Sequence, residues 1–130
     1  KTALDAAIIL DALGKDIIFI ETAGVGQSET AVKDIVHTVV VVITPGLGDD
    51  IQMMKAGIME IADIFVVNKA DLKNAEETAR AIEDMISLLP QKRKRPGVIL
   101  TVASEGKGIE RVLEGIEECR KIKAIRFPLP

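Results

Sequence analysis

The sequence predicts an α/β domain in which a mostly parallel sheet is flanked by helices. Four short apolar runs, Ile17–Ile20, Val39–Ile43, Ile64–Val67 and Val98–Val102, are rich in β-branched residues and do not alternate with polar ones. Strands buried on both faces of a parallel sheet read this way. Segments with helical spacing of apolar residues lie between the runs, and such alternation implies right-handed crossovers in a layered fold. The chain has 130 residues, 48% apolar and 28% charged, enough for one domain with a real core.

At the N-terminus Ala3, Leu4, Ala7, Ile8 and Ala12 recur at near-helical spacing, with Gly14 as the stop. The strand Ile17–Ile20 leads into a polar loop, Glu21–Glu29. A helix is expected from Ser28, its N-cap, to Val36. After the strand Val39–Ile43, a helix over Asp49–Glu60 carries Ile51, Met54, Ile58 and Met59 on broadly one side. The strand Ile64–Val67 gives way to Asn68-Lys69-Ala70-Asp71. The next helix, Ala75–Leu89, carries Ala79, Ile82, Met85, Ile86 and Leu89 and is closed by Pro90. A basic turn, Gln91–Gly97, precedes the strand Val98–Val102, and a last helix over Gly108–Ile122 carries Ile109, Val112, Leu113 and Ile116. Residues 1–126 read as one partial domain and 127–130 as a linker or the start of a C-terminal extension. The chain opens at Lys1, without methionine and inside a helical pattern, so both ends read as cuts through something longer.

Composition narrows the function classes. Lys and Arg number 17 against 20 Asp and Glu, a net charge of −3, which argues against a nucleic-acid partner. Aromatic residues are 2% of the chain, leaving few stacking platforms for single strands. The single cysteine, Cys119, excludes an internal disulfide framework and suits a reducing cytosol, so a cytoplasmic protein is expected. No apolar run approaches the ~18 residues of a membrane span, and no signal peptide is read, so no membrane partner is expected. His37 reads as structural. Lys92–Arg95 reads as a solvated turn, with a weak acidic-partner or phosphate patch as the sharper alternative.

Ligands of open parallel sheets gather at the carboxyl ends of the strands. Three predicted strands end there in polar loops. In Asn68-Lys69-Ala70-Asp71, a carboxylate fixed after a buried strand can accept hydrogen bonds from the ring N–H and the exocyclic amine of guanine together. Adenine offers an acceptor at the matching ring position and would be rejected. Asn68 can hold the neighbouring loop and the base edge, and the stem of Lys69 can cover the ring. The plainer reading is that Asp71 caps the following helix. In Glu21-Thr22-Ala23-Gly24, an acid at a strand end can hold magnesium through water, and Gly24 can bring its N–H close to a terminal phosphate. A glycine turn between strand and helix is the plainer reading there. The third loop, Thr101–Gly108, places Ala103 and Ser104 where backbone N–H groups could meet a base oxygen. Together the three loops read as a guanine-nucleotide site.

The runs Glu21–Glu29 (ETAGVGQSE), Pro45–Asp63 (PGLGDDIQMMKAGIMEIAD) and Val67–Asp71 (VNKAD) resemble the methylmalonyl-CoA mutase-associated GTPases, the MeaB/ArgK family of the SIMIBI class. The resemblance runs from about Thr2 through Gly108. It implies a P-loop NTPase-like fold and a GTP-hydrolysing chaperone, with GTP or GDP and Mg2+ as ligands. Such a chaperone gates adenosylcobalamin loading into methylmalonyl-CoA mutase or a related acyl-CoA mutase and protects that enzyme; the complete protein would be a homodimer. Carried onto this chain, Glu21 and Gly24 would sense magnesium and γ-phosphate, with Glu21 in place of the usual Asp of D-x-x-G, itself a family trait. Glu21–Glu29 would form the second switch. Asn68, Lys69 and Asp71 would read guanine. Thr44–Lys55 would match a mobile segment carrying the nucleotide state to the mutase, with Asp49, Asp50 and Lys55 supplying its charges; Asp49 and Asp50 also suit a helix N-terminus. Gln27 could orient water, but it lies three residues after Gly24 and is not assigned to catalysis.

Two departures from the family pattern stand out. Val102 takes the place of the usual Ser in a T-S-A loop. No G-x-x-x-x-G-K-[ST] occurs: around Gly14-Lys15, Ile9 stands at the first Gly position and Asp16 at the Ser/Thr position. The phosphate cradle is therefore expected upstream of Lys1. In such folds its strand lies between the strand ending at Glu21 and Val39–Ile43. The chain without it should show either a gap in the sheet or a direct pairing of those two strands, with reduced stability and aggregation from exposed edges. Two functions follow as alternatives: a portion of a working GTPase, or a catalytically inactive interaction module that retains the switch surface.

Overall fold

The computed structural model describes residues 2–22, 32–46, 56–91 and 94–123. Three parallel strands, β1 (Val40–Ile43), β2 (Ile64–Val67) and β3 (Gly97–Leu100), form a sheet in the order β1-β2-β3. Val41 pairs with Phe65 and Phe65 with Val98, so residues in register share a face. Helices α1 (Thr2–Ala12), α2 (Ala56–Ile61), α3 (Ala75–Ser87) and α4 (Ile109–Ile122) complete the described elements, with a 3-10 turn over Ala103–Glu105.

The sheet is covered on both sides. Ile43, Phe65 and Val67 pack with Met59, Ala75, Ala79, Ile82 and Ile86 from the α2 and α3 side. Ile64, Val66 and Ile99 pack against Val112, Ile116 and Cys119 of α4. Two successive crossovers of one hand, stepping in one direction along the sheet, put α2 and α3 on the same face. The helix after the last strand is left to cover the other. Only central β2 is buried along its whole length; Val42 on β1 is 62% exposed. Three of the four apolar runs thus mark strands, but two-sided burial holds only where a strand has neighbours on both edges.

Helices α3 and α4 match their predicted spans to within two residues at each end. In α1 the predicted stop holds: Lys15 N–H bonds back to the Leu10 carbonyl at 3.1 Å. Its apolar residues do not converge on the sheet, and only Ala7 is buried. The predicted helix over Asp49–Glu60 is described from Ala56, and its earlier part lies outside the described residues, as do residues 28–31 of the predicted Ser28–Val36 helix; of its remaining residues only Val32 is helical, and Lys33, Asp34 and Ile35 form a turn. The 127–130 linker also lies outside the described residues.

One predicted strand is corrected. Ile17–Ile20 joins no sheet, and Ile17 and Phe19 are 73% and 84% exposed. A strand exists through its hydrogen-bonded neighbour, and no described strand lies beside this segment. Of the two arrangements expected for the sheet, the direct pairing with β1 does not form. His37, read from the sequence as structural, precedes β1 and is exposed.

At the amino end of the sheet, Asp63 acts as a clamp that the sequence reading passed over. Its Oδ2 accepts the Val39 N–H at 2.8 Å, and both carboxylate oxygens accept from Lys123 Nζ at 2.7 Å. One side chain thereby joins the start of β1, the exit of α2 and the end of α4. A lone acid between buried Ala62 and Ile64 was the available signal. Among the described residues, no helix is long and apolar enough to cross a membrane.

Candidate functional site

The carboxyl ends of the three strands open into the segments 44–46, Asn68–Asp71 and Thr101–Gly108. The backbone ladder continues one step past each strand end. Asn68 N–H donates to the Ile43 carbonyl at 2.9 Å, and Thr101 N–H to the Val67 carbonyl at 2.9 Å. Asn68 therefore starts from a position as fixed as the strand before it.

Its side chain reaches across to the neighbouring loop. Asn68 Oδ1 accepts from Thr101 Oγ1 at 3.0 Å and from the Ala103 N–H at 3.0 Å. Two donors occupy the two lone pairs of the amide oxygen, which orients the group and leaves Nδ2 free of that loop. A further bond, Ala70 N–H to the Thr101 carbonyl at 2.9 Å, closes the same junction. Thr101, only 2% exposed, was not picked out from the sequence. A hydroxyl residue immediately after an apolar strand was the clue.

Lys69 has φ +56°, the one described non-glycine residue with positive φ. L-residues avoid this region by about 1–2 kcal/mol, so the surrounding bonds hold the turn in a strained form, as functional loops often are. Asp71 follows, exposed, and its carboxylate meets no hydrogen-bond donor or cation among the described residues. It does not cap α3: the N-cap is Asn74, and Ala75 N–H bonds to the Leu72 carbonyl at 3.2 Å. The plainer reading of Asp71 therefore loses its support.

The third loop is a small closed hairpin. Val102 and Lys107 form an antiparallel bridge, Glu105 and Lys107 pair at 3.0 Å on the surface, and Gly106 and Gly108 have φ of +72° and +81°. Ala103 and Ser104 sit exposed at its tip. Val102, the departure from the family pattern, keeps the backbone bridge because its side chain plays no part in it.

Glu21 is described and exposed, without a hydrogen bond or ion pair to any described residue. Gly24, Gln27, Asp49, Asp50 and Lys55 lie outside the described residues. The structure thus joins Asn68, Lys69, Asp71, Ala103 and Ser104 in one loop cluster. No group of three or more metal-ligating side chains occurs among the described residues. Burial raises the Cys119 thiol above its ordinary value, with the Asp63 charge adding to the effect, so this cysteine is a poor nucleophile or ligand.

Comparison with known proteins gives the following. The sequence model described as "Methylmalonyl Co-A mutase-associated GTPase MeaB" matches residues 1–125. A Pyrococcus horikoshii protein whose name carries the word GTPase is 48% identical over 125 residues, which are 93% of this chain and 39% of that protein. The mouse protein named methylmalonic aciduria type A homolog, mitochondrial, is 37% identical over 123 residues, 91% of this chain and 30% of its own length. The crystal structure of an LAO/AO transport system kinase superposes with a TM-score of 0.76 at 29% identity, covering 91% of this chain and 39% of that one. The chain spans well under half the length of the relatives it matches.

Proposed function

The chain belongs to the methylmalonyl-CoA mutase-associated GTPase family MeaB, and from that membership we propose that it forms the base-reading part of a guanine-nucleotide site in a GTP-hydrolysing chaperone. The observation that carries the reading is the Asp71 carboxylate, unpartnered at the end of the central strand beside an Asn68 locked in orientation. Asp71 accepts from the ring N–H and amino group of guanine and rejects adenine by opposing a lone pair to a lone pair. Asn68 fixes the third loop against the second, and the Lys69 stem covers one ring face. Ala103 and Ser104 belong to the same edge of the base.

Glu21 fits the expected Mg2+ contact in kind: it is an exposed carboxylate, a hard oxygen donor suited to a water-mediated bond. When bound, the metal neutralises charge on the phosphates. Gly24 would approach the terminal phosphate, and Gln27, Asp49, Asp50 and Lys55 would carry the nucleotide state outward. The phosphate-cradling motif is not among these 130 residues. This chain's share is therefore base recognition and switching, and hydrolysis belongs to the complete gene product. The partner in this reading is an adenosylcobalamin-dependent acyl-CoA mutase, the setting cytoplasmic, and the assembled protein a homodimer.

The test is Asp71→Asn in the complete gene product. Xanthine carries a carbonyl where guanine carries its amino group, and an Asn amide can donate to that carbonyl while accepting from the ring N–H. GTP affinity should fall at least about tenfold, the equivalent of one lost charged hydrogen bond, and XTP affinity should rise. Unchanged GTP and XTP affinities would refute the reading. The alternative, a nucleotide-free interaction module, predicts mutase capture that is indifferent to added GTP or GDP.

A further inference from the structure

Helices α3 and α4 run back from the carboxyl ends of β2 and β3, so their last residues lie at the amino end of the sheet, away from the three loops. They cover opposite faces, and each leaves an apolar residue open there. Leu88, the C-cap of α3, is 85% exposed, and Ile122, the last residue of α4, is 67% exposed. At this same end the chain leaves α4. Lys123 N–H closes the helix on the Cys119 carbonyl at 3.0 Å, and its Nζ is held by both Asp63 oxygens. Its backbone is already extended, with φ −101° and ψ 120°. The departing chain is thus fixed at its first residue in both place and direction. Seven residues of this sequence follow, Ala124-Ile125-Arg126-Phe127-Pro128-Leu129-Pro130. Ile125, Phe127 and Leu129 recur at every second position, the spacing that sets side chains on one side of an extended segment. Phe127 and Leu129 each precede a proline, which disfavours helical backbone for both. The prolines lack an N–H and exclude a central strand.

We propose that residues 124–129 form an extended strap across the amino end of the sheet, from the end of α4 to the end of α3, with Phe127 and Leu129 covering Leu88. The length fits. Six extended residues at about 3.3 Å each reach about 20 Å, the order of separation of two helix layers that each stand about 10 Å from the sheet between them. The charges fit as well. Glu83 and Asp84 stand exposed near the end of α3, whose last turn holds no basic residue. Arg126 brings a cation to a helix end that favours one, whereas Lys94 is drawn to Glu118 on α4 at 3.3 Å. Tethering decides the occupant: a segment anchored at Lys123 meets Leu88 at an effective concentration on the order of millimolar, against which a separate partner competes poorly. The strap makes the end of this chain part of the domain's packing, and it holds whatever nucleotide the opposite end of the sheet reads.

The experiment follows the labelled methyl groups of Leu88 in the complete gene product by nuclear magnetic resonance. Nuclear Overhauser contacts from these methyls to the Phe127 ring are expected, with the methyl signals displaced by the ring current. Phe127→Leu keeps an apolar contact but removes the ring, so the displacement should vanish while the fold is retained. Arg126→Glu sets a like charge beside Asp84 and should weaken the contacts, and Arg126→Lys should keep them. The parent spectrum alone can overturn the strap, whether or not a variant folds: contacts of Leu88 with no residue of 124–129 are the contrary result. Contacts of Leu88 to a distant part of the gene product, or to a second copy and lost on dilution, overturn it too and give the surface to that occupant. So do Leu88 signals indifferent to Phe127→Leu.

Discussion

Gly108 and Gly106 share a backbone conformation but not a neighbourhood, so the same substitution at each separates two costs. Gly106 has φ +72° with nothing within 4 Å of where a Cβ would stand. Gly108 has φ +81°, and an alanine Cβ there would lie 2.3 Å from the Leu100 carbonyl oxygen and 3.1 Å from Thr101 Cγ2. Carbon–oxygen approaches normally stop at about 3.3 Å, and the obstructing oxygen belongs to the backbone of β3, which cannot rotate aside. Left-handed backbone costs an L-residue about 1–2 kcal/mol, and forced overlap in a packed site adds about 1–3 kcal/mol. Gly106→Ala should therefore lose about 1–2 kcal/mol of stability, and Gly108→Ala about 2–5 kcal/mol. Urea unfolding of the complete gene product, read as a midpoint shift at constant slope, measures the difference. Because Gly108 holds the root of the hairpin carrying Ala103 and Ser104, its variant should also lose more GDP affinity than the Gly106 variant. Two variants within about 0.5 kcal/mol of each other, the ordinary scatter of surface substitutions, would refute the close approach of loop and strand.

Lys69→Gly relieves the positive φ while adding unfolded-state entropy, so its stability should stay within about 1 kcal/mol of the parent; its GDP affinity, read by titration, should fall because the stem that covers the ring is gone. At the opposite end of the sheet, Asp63→Ala frees Lys123 and strands the Val39 N–H, and should cost about 2–3 kcal/mol. Lys123→Met leaves the Val39 bond intact and, with its side chain 38% exposed, should cost about 1 kcal/mol or less in the same urea assay. Cys119 has its thiol raised by burial first and the Asp63 charge second, so the folded thiol stays protonated where an unfolded one ionises. Stability from this group is complete below the ordinary thiol value of 9.0 and is lost as pH rises through the folded value. Alkylation of native protein should accordingly lag behind that of urea-unfolded protein, and equal rates at pH 8 would contradict the burial.

Much of the architecture was legible in the chain itself. Ile64–Val67 appears as a strand residue for residue because four consecutive apolar side chains satisfy both faces of a central strand. Helices α3 and α4 follow from apolar spacing that only a 3.6-residue period brings to one side. The place of Asn68–Asp71 was legible as well, since the turn lies between the strand Ile64–Val67 and the helix Ala75–Ser87. Ile17–Ile20 has the same composition as a strand and is not one here. Composition records a preference, whereas a strand also needs a partner within hydrogen-bonding distance.

What the sequence determined by itself is therefore local: which segments are apolar enough to be covered, where helices run, and which loop carries the carboxylate. The tertiary structure decided which distant groups meet. Asn68 finds its partners 33 and 35 residues away, and Asp63 finds Lys123 60 residues away. No spacing rule reaches across those separations, because a hydrogen bond is fixed by ångström-scale proximity that only the packed sheet creates.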